Sequence, residues 1–133
     1  MIEDAVSDPP NARTVLVVDD NLAIRELLKE VLGTEGYEVV EASNGVEAID
    51  RARRYRPSAV LMDLMMPVMS GAEATIRLKS DPATAAIPVL AMSAGRNLTA
   101  VGLDIPADDF IPKPFDLTEL VKRIALHAAR PIA

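Results

Sequence analysis

The stretch from Ala59 to Pro67, AVLMDLMMP, constrains the fold of this chain more than any other. Ala59 to Met62 is an apolar run with the length and branched content of a strand that is buried on both faces of a parallel sheet. Asp63 follows this run, and Pro67 prevents the strand from continuing. Open α/β sheets bind ligands at the carboxyl ends of their strands. The stretch therefore predicts a central strand that presents a carboxylate at a ligand-binding edge.

Four further apolar runs, alternating with amphipathic helical patterns, predict the rest of the sheet. The other predicted strands are residues 14–18, 38–42, 87–92 and 109–112. The predicted helices run from Asn21 to Gly33 or Gly36, from Asn44 to Tyr55, from Ser70 to Ser80, over residues 97–103, and onward from a cap at Asp116. Five successive strand–helix units predict a parallel sheet with helices on both of its faces.

The composition is that of one α/β domain with an aliphatic core. The chain has 133 residues, half of them hydrophobic, with two Tyr, two Phe and no Trp. Residues 1–12 are acidic and contain a proline pair, so we predict a flexible tail there and the domain itself over residues 13–130. The absence of Cys, the net charge of -6 and the lack of a long apolar segment favour a cytoplasmic protein that contacts neither membrane nor nucleic acid directly.

Polar side chains follow four of the predicted strands at the same end. Asp19 and Asp20 follow the first strand, Asp63 the third, Ser93 the fourth and Lys113 the fifth. Because the carboxyl ends of parallel strands meet at one edge of a doubly wound sheet, we expect these side chains to converge. Three carboxylates in one pocket repel each other, and a hard cation such as Mg²⁺ reduces that cost. With a hydroxyl and an ammonium beside them, they indicate phosphoryl transfer onto a carboxylate.

The motifs around these residues resemble the receiver domain of bacterial two-component response regulators. They are VLVVDDN (15–21), VLMDLMMPVMSG (60–71), PVLAMSA (88–94) and DDFIPKPF (108–115). The resemblance covers almost everything after the tail, and it implies a flavodoxin-like fold, a doubly wound five-stranded parallel sheet of order 2-1-3-4-5 with helices on both faces. It further implies a stand-alone receiver similar to the chemotaxis regulators.

The same resemblance implies a metal and a phosphoacceptor. Asp63 would accept the phosphoryl group. Asp20, Asp63 and the backbone carbonyl of Met65 would bind Mg²⁺ or Mn²⁺, and Asp19 would act through a metal-bound water. Lys113 would contact the phosphoryl group, positioned by a cis peptide bond to Pro114.

Ser93 and Phe110 would be the switch pair that links phosphorylation to output. The implied donor is a sensor histidine kinase or a histidine phosphotransfer protein, and the implied output is an unknown downstream protein, so the chain would be a signalling phosphoacceptor and not an enzyme. Two features depart from the family. The segment between Ser93 and Lys113 is slightly short, with Pro106 where glycine is common, and Phe110 replaces a frequent tyrosine. The first concerns the face that commonly meets partners, so the output face is not predicted.

Each of these residues also has a plainer interpretation. Asp20 alone resembles a helix N-cap, Asp63 a strand-end cap, Ser93 a turn residue and Lys113 a solvated loop lysine. Their order and spacing together favour a site over independent structural roles. Elsewhere, we predict that His127 is a surface residue. The Arg-rich run over residues 51–56 is expected to be a solvated helix face, and Met62, Met65, Met66 and Met69 to fill the core.

Three rival functions are weaker. A receiver-like interaction module without phosphorylation is disfavoured because every acidic, hydroxyl and lysine position is filled. A phosphatase of the haloacid-dehalogenase type would need a second aspartate two residues after the nucleophile, and Met65 stands there. A nucleotide-binding domain would need a glycine-rich loop after the first strand, which is missing.

Overall fold

The computed structural model describes residues 11–94 and 105–129, which form five strands and four helices. The strands are β1 (Asn11–Val18), β2 (Glu38–Ala42), β3 (Pro57–Asp63), β4 (Val89–Ala94) and β5 (Asp109–Lys113). The helices are α1 (Leu22–Thr34), α2 (Gly45–Tyr55), α3 (Gly71–Ser80) and α4 (Leu117–Ala128). None of these helices is long and apolar enough to span a bilayer. The helix predicted over residues 97–103 lies outside the described residues.

The five strands pair in parallel in the order β2-β1-β3-β4-β5, which confirms the predicted flavodoxin-like topology. Every residue of the central strand β3 is buried, as an apolar run in a doubly covered sheet requires. The chain order of the strands reverses between β1 and β3. The carboxyl ends of these two neighbouring strands therefore frame the crevice in which such sheets bind ligands.

Side chains of β1 alternate between two cores. Val15 and Val17 pack with α1 and α4 on one face of the sheet, whereas Leu16 and Val18 pack with α2 and α3 on the other. Successive residues of a strand point to opposite faces, so an unbroken apolar strand supplies both cores at once. The prediction of helices on both faces is confirmed.

The predicted helix starts are confirmed at four positions. The N-caps are Asn21, Asn44, Ser70 and Asp116, and each side-chain oxygen accepts a hydrogen bond from the backbone N–H three residues later. This bond satisfies one of the N–H groups that the first turn of a helix leaves without an intrahelical acceptor. Short polar side chains before an amphipathic pattern thus fixed these starts locally.

Two strands differ from their predicted limits. β1 begins at Asn11 and so overlaps the end of the predicted tail, of which residues 1–10 lie outside the described part of the chain. β4 begins at Val89, after Pro88, which has no N–H to donate but whose carbonyl accepts from Val60 N at 2.9 Å. It then continues to Ala94, which pairs with Lys113 of β5.

The surface position predicted for His127 is wrong. The residue is only 6% exposed, and its Nε2 lies 3.1 Å from Oδ2 of Asp109 on β5. His127 follows Leu120 by seven residues and Ile124 by three, so all three share the inward face of α4. A buried imidazole needs a polar partner, and Asp109 provides one from a strand that the helical pattern does not reveal.

The methionine prediction is wrong for one of its four members. Met62 is buried in the core, and Met66 and Met69 pack partly buried against it. Met65 is 74% exposed because it lies in the loop beyond the end of β3. The Arg-rich run is an exposed helix face at Arg53 and Arg54 and half-buried at Arg51, whereas the exposed Arg56 follows α2 as its C-cap.

Candidate functional site

The carboxyl edge of the sheet holds a cavity of about 230 Å³ between the ends of β1, β3 and β5. Its lining includes four of the polar residues that the sequence predicted to converge, namely Asp19, Asp20, Asp63 and Lys113. Asn21, Ile24 and Met65 complete it. Ser93 is buried near the end of β4, where it pairs with Pro112, and Phe110 is half-buried on β5 opposite Ala91. Neither of these two lines the cavity.

Three carboxylates meet in this cavity. Asp19 and Asp63 are buried and Asp20 is exposed, and one carboxylate oxygen from each lies within 4.8 Å of the others. The interpretation of Asp20 as the cap of α1 is wrong, because Asn21 caps that helix and accepts from Ile24 N at 3.1 Å. The Asp20 carboxylate is thus left to face the cavity. A cluster of hard oxygen donors of this kind fits a divalent cation such as Mg²⁺.

Lys113 joins two of the carboxylates. Its Nζ lies 2.9 Å from Oδ2 of Asp19 and 3.4 Å from Oδ1 of Asp63. Burial alone would lower the pKa of Lys113, but the two carboxylates, Asp19 foremost, together raise that pKa above its usual value. The ammonium of Lys113 is therefore fixed between two carboxylates. The plainer interpretation, a solvated loop lysine, is wrong. The peptide bond from Lys113 to Pro114 is cis, as predicted.

Asp63 is electrostatically disfavoured in its ionised form. Burial is the main cause that raises its pKa above the usual value, and the nearby charge of Asp19 adds to it. Lys113 and the backbone N–H of Met65 act in the opposite direction without cancelling the rise. A bound cation would counter both causes, so the charge balance of the cavity also fits a metal site.

Arg25 supports the acidic turn, a role that no sequence pattern predicted. Its Nη1 donates to the backbone carbonyl of Asp19 at 2.7 Å, and its Nε pairs with Oε1 of Glu41 on β2 at 3.0 Å. The side chain is only 16% exposed. An arginine in the second turn of an amphipathic helix is usually expected to be solvated. Only the burial of Arg25 in the structure shows that it supports the turn.

Two glycines hold the loop that follows Asp63. A Cβ at Gly71 would overlap the carbonyl oxygen of Asp63 and lie 2.7 Å from its carbonyl carbon. A Cβ at Gly45 would lie 2.8 Å from the carbonyl oxygen of Met69, which accepts from Gly45 N at 3.0 Å. Both helices α2 and α3 thus begin in direct backbone contact with this loop. In the sequence, both glycines are recognisable only as the residues that follow helix N-caps, so their close backbone contacts could not be predicted.

Val68 lies in the same loop with an unfavourable backbone. Its φ is 70°, in the left-handed region that a β-branched residue rarely adopts, and 83% of the residue is exposed. The apolar side chain gains little from burial to offset that conformation. The loop beside the phosphoacceptor candidate therefore contains a strained position.

Replacing Val68 with asparagine is expected to stabilise the protein by about 1 kcal/mol, because Asn tolerates left-handed backbone far better than Val. Urea denaturation measures the change. Val46→Asn is the control, since Val46 is also exposed, at 51%, but has helical backbone, and no gain is expected there. An unchanged denaturation midpoint for Val68→Asn would show that the loop accommodates valine without cost.

Comparison with known proteins identifies the family. The model of the response regulator receiver domain matches residues 15–125. This chain belongs to that family. Receiver domains are signalling phosphoacceptors, not classical enzymes, and are phosphorylated by histidine kinases. The pocket formed by Asp19, Asp20 and Asp63 is typical of the family.

Individual relatives agree with this assignment. Response regulator MprA from Mycobacterium sp. strain KMS is 44% identical over 112 residues, which cover 83% of this chain and 48% of the relative. The chain thus spans about half the length of the curated relatives it matches. A crystal structure from Chloroflexus aurantiacus J-10-fl, described as a response regulator, is 34% identical with a TM-score of 0.83 and covers 89% of this chain and 98% of that chain.

A second solved structure bears on the metal. The receiver domain of the sensor histidine kinase PA1611 from Pseudomonas aeruginosa PAO1 was crystallised with a magnesium ion coordinated in its active-site cleft. It is 27% identical, with a TM-score of 0.81, and covers 89% of this chain and 98% of that chain. The three clustered aspartates of the present receiver are consistent with such a site.

Proposed function

We propose that this receiver domain accepts a phosphoryl group on Asp63 from a histidine kinase or a histidine phosphotransfer protein. The proposal depends chiefly on one observation, the position of Asp63. Its buried carboxylate ends the central strand and faces a cavity that also holds Lys113 and two further aspartates. The signal would then pass through Ser93 and Phe110 to a downstream protein.

The hydrogen bonds of the cavity favour Asp63 over Asp19 as the nucleophile. Both oxygens of Asp19 are engaged, Oδ1 by the backbone N–H of Asn21 and Oδ2 by Lys113, each at 2.9 Å. Asp63 uses only Oδ1, which accepts from Met65 N at 3.3 Å and faces Lys113. Its Oδ2 accepts no hydrogen bond from any residue in the described ranges. That oxygen is free to form a bond to phosphorus while the phosphorus–nitrogen bond of a phosphohistidine donor breaks.

The proposed metal ligands are Asp20, Asp63 and the backbone carbonyl of Met65, with Asp19 acting through a water. Mg²⁺, or Mn²⁺, would supply positive charge against the phosphoryl oxygens and the ionised Asp63. Lys113 is already held as a cation between Asp19 and Asp63, so its ammonium can turn from a carboxylate to a phosphoryl oxygen without entering the site from solvent.

Incubation with acetyl phosphate and Mg²⁺ tests the proposal directly. The intact mass of the protein is expected to rise by one phosphoryl group, and chelation of the metal with EDTA before the reaction should prevent the rise. Protein that gains no mass in the presence of Mg²⁺ would contradict the assignment.

Mg²⁺ is expected to raise the melting temperature of the wild type more than that of Asp20→Asn. A ligand that binds only the folded state stabilises it by about 2.7 kcal/mol at one hundred times its dissociation constant. Asp20 is exposed, so its amide replacement removes a ligand without disturbing the core. Asp50→Asn, also exposed but on α2, should respond to Mg²⁺ as the wild type does. Equal responses of wild type and Asp20→Asn would place the metal elsewhere.

Strand pairing supports a role for Ser93 and Phe110 as the switch pair, because Ser93 follows Met92, the residue of β4 that pairs with Asp63. Phe110 packs against a buried cluster that consists of Leu64, the residue after Asp63, with Ala91 and Ile105. A phosphoryl group on Asp63 would present new acceptor oxygens to the Ser93 hydroxyl at the end of β4. Movement of Ser93 toward them would shift the chain after β4 and change the packing around Phe110. We propose this movement as the switch.

Ser93→Ala is expected to leave phosphorylation of Asp63 largely intact and to remove the response around Phe110, because alanine cannot donate to a phosphoryl oxygen. NMR amide shifts with and without beryllofluoride, a mimic of the phosphoryl group, measure the response over residues 105–112. Ser80→Ala, an exposed serine on α3, serves as the control and should respond normally. An undiminished response in Ser93→Ala would show that the coupling uses another route.

A further inference from the structure

A groove between α2 and α3 lies on the face of the sheet away from α1 and α4. Its volume is about 370 Å³, and its lining comprises Val46, Ile49, Asp50, Arg53, Met69 and Arg77. The floor is apolar, and half of Val46 is exposed. The side chains of Arg53 and Arg77 are 60% and 58% exposed. The groove therefore combines an uncovered apolar floor with a rim of two arginines and one aspartate.

The rim adjoins a run of four arginines, and Asp50 of the lining pairs with two of them, Arg51 and Arg54. Residues 51–56, RARRYR, have four arginines and no acidic residue, in a chain whose net charge is -6. Within the described residues Arg53 pairs with Asp81 and Arg77 with Glu73, both at 2.9 Å. Exposed pairs of this kind contribute little to stability, so they can exchange for other carboxylates at small cost.

We propose that the chain's own N-terminal segment, residues 1–10, binds in this groove. The segment lies outside the described residues, and its sequence is MIEDAVSDPP. Its three carboxylates, with no Lys or Arg among them, complement the arginine rim. Met1, Ile2, Ala5 and Val6 complement the apolar floor.

The attachment point favours this occupant over an unrelated partner. Asn11, which follows the segment directly, pairs in parallel with Pro57, and Pro57 follows Arg56 at the end of the basic run. Ten extended residues reach about 33 Å, whereas the 11 residues of α2 span about 16 Å. The segment is thus long enough to follow the groove along the whole helix. A short tether gives an effective concentration in the millimolar range, so weak individual contacts suffice.

A segment bound in the groove would also contact the loop between Asp63 and α3. Met69 lines the groove, and its carbonyl accepts from Gly45 N at the start of α2. The same residue belongs to the loop between Asp63 and α3. A segment seated on Met69 would therefore restrain that loop.

A spin label on the N-terminal segment tests the proposal in the 133-residue chain. The protein has no native cysteine, so Ala5→Cys provides one attachment site. We expect the label to broaden backbone amide signals selectively at Val46, Ile49, Arg53 and Arg77. The double reversal Arg53→Glu/Arg77→Glu should abolish this broadening. The matched reversal Lys29→Glu/Lys122→Glu changes the net charge equally at exposed positions elsewhere and should preserve it.

Three outcomes would overturn the proposal. Broadening centred on another surface would assign the segment a different binding site, and broadening spread evenly over the protein would show that it has none. If ¹⁵N-labelled protein without a spin label were broadened only when a separate spin-labelled copy was added, the occupant would be a second molecule.

We expect the selective pattern to persist at low salt and to disappear in 0.5 M NaCl, because ion pairs are screened by salt.

Discussion

The Asp63→Asn variant is expected to take up no phosphoryl group from acetyl phosphate and Mg²⁺ under conditions in which the wild type gains one. The amide has nearly the shape of the carboxylate, but its oxygen is too weak a nucleophile to form an acyl phosphate. Asp63 is the only one of the three clustered aspartates that is both at the end of the central strand and left with a carboxylate oxygen unengaged by the described residues. Intact-mass spectrometry gives the result directly, as an all-or-none difference.

The control separates loss of the acceptor from a general loss of acidic charge. Asp50→Asn makes the same chemical change at an exposed position on α2 and should be phosphorylated as the wild type is. Far-ultraviolet circular dichroism would show that both variants are folded. Equal labelling of Asp63→Asn and wild type would identify another residue as acceptor, with Asp20 the next candidate in the cavity.

The Gly71→Ala variant is expected to lose about 3 kcal/mol of unfolding free energy or more, because the added methyl group meets backbone that cannot yield by a rotamer change. A Cβ at this position would overlap the Asp63 carbonyl oxygen and lie 2.9 Å from Cα of Leu64. Relief requires that α3 or the end of β3 move. The same movement would break the bond from Gly71 N to the Leu64 carbonyl. Urea denaturation measures the loss.

Gly33→Ala provides the matched comparison. Gly33 lies within α1, and a Cβ there would have nothing within 4 Å. Alanine is the better helix former, so this variant should be as stable as the wild type or more stable by about 0.5–1 kcal/mol. If Gly71→Ala were as stable as Gly33→Ala, the result would contradict the close contact between α3 and the end of β3.

The sequence determined the elements whose signals are local. The apolar run of β3 predicts a doubly buried strand because every one of its side chains must avoid water. The helix starts at Asn21, Asn44, Ser70 and Asp116 were predictable because a cap and its N–H donor are only three residues apart. Asp19, Asp20, Asp63 and Lys113 were predictable as a group because parallel strands bring their carboxyl ends to one edge.

The burial and pairing of individual groups depend on packing between distant elements. Lys113 bonds Asp19 across 94 positions of sequence, and His127 meets Asp109 across 18. No local pattern contains such a pair, so His127 was predicted to be on the surface. The role of Gly71 has the same origin, since it depends on how closely α3 approaches the backbone of Asp63. Sequence periodicity specifies the face on which a residue lies, whereas its partner depends on packing between elements that are distant in the chain.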